Sequence, residues 1–230
     1  MDKTVPLRRA ALAELIGTFA LVFFGPGAAV VEAQTGQLGH TGVALVFGLT
    51  VAVVVAALAP VSGAHINPAA TFALLLTRRF PKERALPYVT AQLLGSTLAA
   101  FALLAVFGRR GDLGVTVPSG SNAQAFALET VMTAMLLLVA LRSGQPVAVG
   151  GVVALEALMG GPITGASMNP ARSFGPALAS GIWTAHWLYW FAPLLGAAIA
   201  VSLNGLITPA GLPVQDTPAR EFVPERENND

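Results

Sequence analysis

Two stretches of this chain repeat one another in a setting that should not tolerate them. Ser62–Thr71 reads SGAHINPAAT and Thr164–Ser173 reads TGASMNPARS, at a constant offset of 102 residues. Gly-Ala and Asn-Pro-Ala recur in both, the outer positions exchange Ser and Thr, and Arg172 stands where the first copy has Ala70. Proline and glycine interrupt helices, yet the sequence around both copies is overwhelmingly apolar. Hydrophobic residues make up 54% of the 230 positions and charged residues 11%, with a mean hydropathy of +0.68. Soluble domains carry about 25% charge, so the expected solvent is lipid.

Six stretches approach the roughly 20 apolar residues that a span requires: Ala10–Val31, Thr41–Val61, Ala85–Phe107, Ala123–Leu141, Val147–Pro162 and Trp187–Thr208. Pro68–Thr77 and Pro170–Ser180 are apolar but cover only about half the hydrocarbon thickness at about 1.5 Å per residue. Both begin at the repeated Asn-Pro. From Pro209 the chain turns proline-rich and acidic, and 209–230 is expected to be a disordered cytoplasmic tail. The apolar run near the N-terminus is too long for a cleavable signal core.

Of the 13 Lys and Arg residues, ten fall on one side: Lys3, Arg8, Arg9, Arg78, Arg79, Lys82, Arg84, Arg142, Arg220 and Arg226. Arg109 and Arg110 fall on the other, and Arg172 lies within the membrane. The positive-inside rule puts both termini in the cytoplasm, in keeping with an even number of spans.

The duplication extends beyond the decapeptides. Glu14 is followed four residues later by Thr18, and Glu129 by Thr133. The expected plan is one membrane domain over 1–208, with repeats of about 11–108 and 123–208. Each repeat has three spans and one half-span. Three is odd, so the second copy inserts upside down, as an inverted repeat. Irregular backbone survives at membrane depth only inside protein or against a water-filled cavity. Each decapeptide therefore reads as a re-entrant loop followed by a half-helix. Pro68 and Pro170 suit the first helical position, and Asn67 and Asn169 suit the cap before it. Both positive helix ends then aim at one midplane spot, where two amides offer donors.

These residues resemble the aquaporin (major intrinsic protein) family. The resemblance covers about 10–208 and rests on the two boxes, the second continuing NPARSFGPAL. It includes ELIGTF at Glu14–Phe19, GVALVFGLTV at Gly42–Val51 and AQLLGS at Ala91–Ser96. PSGSNAQAF at Pro118–Phe126 and GPITGASMNPARSFGPA at Gly161–Ala177 look most like the nodulin-type members and their bacterial relatives. The resemblance implies an all-α fold of six transmembrane helices and two half-helices, assembled as a homotetramer in the plasma (inner) membrane. It also implies a passive pore for water and small uncharged solutes that excludes ions and protons.

By motif alignment the family's outer constriction falls on Phe47, Ala157, Ala166 and Arg172. Strict water channels usually carry histidine where this chain has Ala157. Glycerol channels usually have aspartate after NPAR, where this chain has Ser173. The implied pore is a broad one for glycerol and neutral metalloid hydroxides such as arsenous or boric acid; a strict water channel is the alternative. An ion-coupled transporter is a remoter alternative, since inverted repeats with broken helices serve there too, and a junction-forming role is another.

Among individual residues, Arg172 reads as a pore-lining cation or as an ion-pair partner of Glu156. Glu14 and Glu129 read as acceptors for loop N–H groups or as proton-relay acids. Glu156 is either a hydrogen-bonded interior carboxyl or a group that tunes the constriction. His65 either lines the pore or caps loop backbone. Trp183, Trp187, Tyr189 and Trp190 read as an interfacial aromatic belt. With no cysteine and three scattered histidines, no metal site, disulfide or cofactor is expected. A net charge of +1 points to no nucleic-acid partner.

Overall fold

The computed structural model describes residues 5–208. The tail expected over 209–230 lies outside the described residues, as do Lys3, Arg220 and Arg226. Eight helices follow in order: α1 (Leu7–Thr35), α2 (Gly39–Ser62), α3 (Pro68–Leu76), α4 (Ala85–Phe107), α5 (Asn122–Arg142), α6 (Pro146–Thr164), α7 (Pro170–Ser180) and α8 (Leu188–Ile207). Helices α1, α2, α4, α5, α6 and α8 are long and apolar enough to cross a membrane. Helices α3 and α7, of 9 and 11 residues, reach about 14 and 16 Å.

Five of the expected spans fall within these helices, and the sixth, Trp187–Thr208, overruns α8 by one residue at each end. Glycine sets two of the stops. Gly63 and Gly165 take φ of 87° and 81° just past α2 and α6, a left-handed turn that costs glycine little. The chain then runs irregularly to Asn67 and Asn169, whose extended backbones open α3 and α7 with proline at the first helical position.

Helix packing follows a two-fold pattern. α1 packs on α4 and α2, and α5 packs on α8 and α6. α4 carries half-helix α7, α8 carries half-helix α3, and α2 crosses α6 between the repeats. With lipid outside, no hydrophobic force drives the helices together, so close contact of small residues does. A Cβ added to Gly95 would lie 2.3 Å from the Leu15 carbonyl, and one on Gly196 would lie 2.5 Å from the Thr130 carbonyl. Leu15 and Thr130 are the residues after Glu14 and Glu129, so the two repeats make the same contact. Gly48 and Gly150 face each other at the α2–α6 crossing, each added Cβ falling within 2.6 Å of the other's carbonyl.

The polarity of the bundle is inverted relative to a soluble protein. Leu86, Val53, Val147 and Leu206 are exposed, whereas Glu14, Gln92, Ser96, Glu129 and Thr133 are wholly buried. Such a distribution needs hydrocarbon around it and polar partners within it.

The shared glycine contact gives a paired test. Gly196→Ala forces a methyl against backbone and should cost about 1–3 kcal/mol as overpacking, lowering the melting temperature in detergent by several degrees. Gly151→Ala, with nothing within 4 Å of the added carbon, should not lower it. Equal melting of both variants with wild type would refute the close-contact account.

Candidate functional site

Each re-entrant loop leaves backbone N–H groups at membrane depth, and one buried glutamate collects them. Glu14 accepts from His65 N at 2.9 Å, Ile66 N at 2.6 Å and Ser62 Oγ at 2.7 Å. Glu129 accepts from Ser167 N at 2.9 Å, Met168 N at 2.7 Å and Thr164 Oγ1 at 2.7 Å. The hydroxyls of Ser62 and Thr164 accept in turn from Ala64 N and Ala166 N, both at 3.0 Å. Thr18 and Thr133 donate to the backbone carbonyls of Glu14 and Glu129. In the first repeat, Gln92 Nε2 adds a donor to Glu14 at 2.7 Å.

These carboxylates hold backbone that is unfavourable on its own. Ala64, Ile66, Ala166 and Met168 have φ of 46°, 44°, 41° and 49°, a left-handed region costing of order 1–3 kcal/mol per non-glycine residue. The alternation turns each loop sharply enough to fit between the spans. Charge-assisted bonds from buried carboxylates are the strong kind, and here they overdetermine the strained turns.

The loops meet through the two asparagines. Asn67 Nδ2 donates to Met168 O and Asn169 Nδ2 donates to Ile66 O, each at 2.8 Å. Asn67 Oδ1 caps α3 by accepting from Ala69 N at 2.8 Å. Asn169 Oδ1 caps α7 by accepting from Ala171 N and Arg172 N at 3.0 and 3.2 Å. One N–H of each amide is thus fixed across the junction, and each amide carries a second. Both helix N-termini, with their partial positive charge, converge there.

Above Asn169, Arg172 is 4% exposed and its guanidinium carbon lies 5.0 Å from the centroid of the Phe47 ring. Arg172 Nη1 donates to Gly114 O at 2.8 Å. Gly114 ends the turn Arg110–Gly114, in which Gly111, Asp112 and Leu113 are all left-handed and Leu113 is fully buried as its anchor. Thr116 Oγ1 donates to Ser173 Oγ at 2.7 Å, and Ser173 Oγ is 2.6 Å from Ser167 Oγ. The loop before α5 thereby holds the side chains of α7 in place. Phe47, Ala157 and Ala166 share one buried apolar cluster.

Glu156 has neither partner considered for it. It is 7% exposed, and its carboxyl oxygens lack hydrogen bonds among the described residues, the Leu136 backbone approaching without hydrogen-bond geometry. The alternative pairing with Arg172 is therefore not formed. His65 Nδ1 is 3.0 Å from Thr71 Oγ1, and its ring packs against Phe80 and Tyr88 with centroids 4.7 and 5.0 Å away.

The aromatic belt needs one correction. Trp183 and Trp187 are exposed, but Tyr189 is fully buried and donates to Thr164 O at 2.7 Å. Its hydroxyl serves a loop carbonyl that the re-entrant turn leaves without a helical donor. Tyr88 does the same for Ser62 O at 2.9 Å. The two tyrosines lie 26 and 25 residues after their acceptors, a spacing that would have paired them as repeat equivalents. Ser96, which donates to Ala171 O and accepts from Gly175 N, likewise ties α7 to α4.

The family model described as Major intrinsic protein matches residues 1–203. Aquaporin NIP1-1 of Zea mays is 40% identical over 227 residues, covering 94% of this chain and 80% of the maize protein. Nodulin-26 of Glycine max is 39% identical over 225 residues, covering 93% and 83%. Aquaporin TIP4-4 of Zea mays is 45% identical over 237 residues, covering 91% and 92%. Among solved structures, the aquaglyceroporin from Plasmodium falciparum superposes with a TM-score of 0.79 at 26% identity, over 88% of this chain and 97% of that one. With six apolar spans, two half-helices meeting at paired asparagines and a family match over most of its length, the chain belongs to the major intrinsic protein (aquaporin) family of membrane channels and is not an enzyme.

Proposed function

We propose that this channel conducts water together with small uncharged polyols and neutral metalloid hydroxides, with glycerol and arsenous or boric acid as representatives, and that it excludes ions and protons. The observation that carries this reading is the outer side-chain set. Arg172 lies against the Phe47 ring, while the other two positions, Ala157 and Ala166, are side chains of a single carbon. One wall donates hydrogen bonds and the rest is apolar and short, which suits a solute whose hydroxyls need donors and whose carbon body needs room. Similarity to a protein named an aquaglyceroporin supports the same width.

Permeation follows from the chain's own groups. A permeant oxygen reaching the centre accepts from the second N–H of Asn67 and of Asn169 and sits between two positive helix ends. A hydroxyl or water held through its oxygen in this way cannot also accept a proton from behind, and a cation meets the dipoles and Arg172 as a barrier. We further infer one channel domain over 1–208 per subunit, a homotetramer with a pore in each protomer, residence in the plasma (inner) membrane, and both termini in the cytoplasm. The basic residues Arg8, Arg9, Arg78, Arg79, Lys82, Arg84 and Arg142 support that orientation.

Width is tested in proteoliposomes. Vesicles shocked with glycerol should shrink and reswell within the assay. Ala157→His should slow reswelling about tenfold or more while slowing water less than about threefold, because diameter sets the ceiling for the larger solute first. Glycerol and boric acid fluxes equal to protein-free vesicles, beside fast water flow, would leave a strict water channel instead.

Charge is tested separately. A unit charge about 8 Å away at an effective dielectric of about 20 is worth roughly 2 kcal/mol. Arg172→Val should therefore raise proton or cation leak, read with a pH-sensitive dye, by on the order of tenfold. Unchanged leak with water flow intact removes Arg172 from the barrier.

A further inference from the structure

Helix α6 carries Ala157 and contains Pro162 five residues later. Proline has no N–H, so the carbonyl four residues before it, that of Leu158, loses its helical donor. Leu158 is the next residue after Ala157. Such a carbonyl needs another partner, and the drier its surroundings the more it costs to leave bare; the bond that takes it here lies at the exposed start of α2. The structure supplies a donor from another helix. His40, the second residue of α2, places Nε2 2.7 Å from Leu158 O. A carbonyl oxygen only accepts, so the hydrogen lies on Nε2 and His40 is the donor. Gly161 makes room for the ring, since a Cβ there would lie 2.8 Å from His40 Cε1. The contact joins residues 118 positions apart.

We propose that His40 is a positioning residue for solute selection: its ring satisfies the carbonyl that Pro162 strips of its donor, and so fixes the turn of α6 that presents Ala157. Elsewhere along the shared face, α2 and α6 are held by contacts between small residues such as Gly48 and Gly150, which set distance but resist sliding weakly. The His40 bond is directional and lies one residue from the constriction. It is the feature that sets the axial register of α6 against α2 at that level. The inference rests on the reading that Ala157 bounds the outer constriction.

The test compares erythritol with glycerol flux in proteoliposomes, with water flux as the measure of functional protein. His40→Ala should raise the erythritol-to-glycerol ratio about threefold to tenfold, the population change that loss of one net hydrogen bond supports. His40→Gln, whose amide can donate from a similar reach, should stay within about twofold of wild type. Pro162→Ala returns an N–H to the Leu158 carbonyl, so in that background His40→Ala should no longer change the ratio, as a double-mutant cycle reads coupling. An unchanged ratio in His40→Ala overturns the proposal. So does Gln behaving like Ala, or an Ala effect that persists beside Pro162→Ala. If the single alanine variant fails to insert, the glutamine variant and the double variant still decide. Ala157→His separates the two readings. If it leaves the ratio unchanged, the constriction lies elsewhere and both fall. If it shifts the ratio while His40→Ala does not, the role of His40 alone falls.

Discussion

The rest of the structure depends on one requirement, that backbone N–H groups placed inside a membrane find acceptors. A continuous helix meets it internally. The two loops at the centre of this protein cannot, and the chain answers with a glutamate on the first helix of each repeat. Glu14 and Glu129 each take two consecutive loop N–H groups and a hydroxyl from the helix end just before them. A carboxylate is expensive to bury, and only several converging donors make it tolerable. The expense of one group thus offsets the other: the loop cannot be irregular without the acid, and the acid cannot be buried without the loop. That mutual dependence explains why these two acids are inside.

The tyrosines extend the same logic to the opposite backbone group. Where Ser62 and Thr164 leave the helical ladder, their carbonyls are taken by Tyr88 and Tyr189 from the last helix of each repeat. Each junction is therefore closed from both ends, donors by the first helix and acceptors by the fourth. The asparagines then lock one junction to the other. Among the described residues a few buried polar side-chain atoms stay without a hydrogen-bond partner: Arg84 Nη1, Gln92 Oε1, Arg172 Nε and both oxygens of Glu156.

The architecture was legible because lipid is a demanding solvent. Spans must be long and apolar, interruptions must be compensated, and a repeated interruption with a capping asparagine and an N1 proline admits few solutions. Pro170–Ser180 reads as a half-helix in sequence and is one, while its partner stops at Leu76, one residue short of the expected Thr77. The site was less legible where the partner is backbone. Nothing in the letters announces that the Gly114 carbonyl holds Arg172, because any residue supplies a carbonyl and only the left-handed turn aims it. In sequence Tyr189 looks like a belt residue, since an aromatic near a span end reads the same whether it faces lipid or loop. Glu156 reads from sequence as a hydrogen-bonded interior carboxyl or a group that tunes the constriction; it is buried, and its oxygens have no hydrogen-bond partner among the described residues.

The repeats also differ in a way that locates their tolerance. The glutamates lie 115 residues apart but the two boxes 102. The shortfall arises because α1 and α2 have 29 and 24 residues where α5 and α6 have 21 and 19, each pair joined by three residues. All of the surplus lies in the hairpin beyond the glutamate, at the end remote from the junction of the boxes. The α1–α2 hairpin therefore projects about two helical turns further from the midplane than its counterpart. Length there is decoupled from the spacing of the groups at the centre, so such a channel can acquire a taller rim on one face alone, with the distance between its two asparagines unaltered.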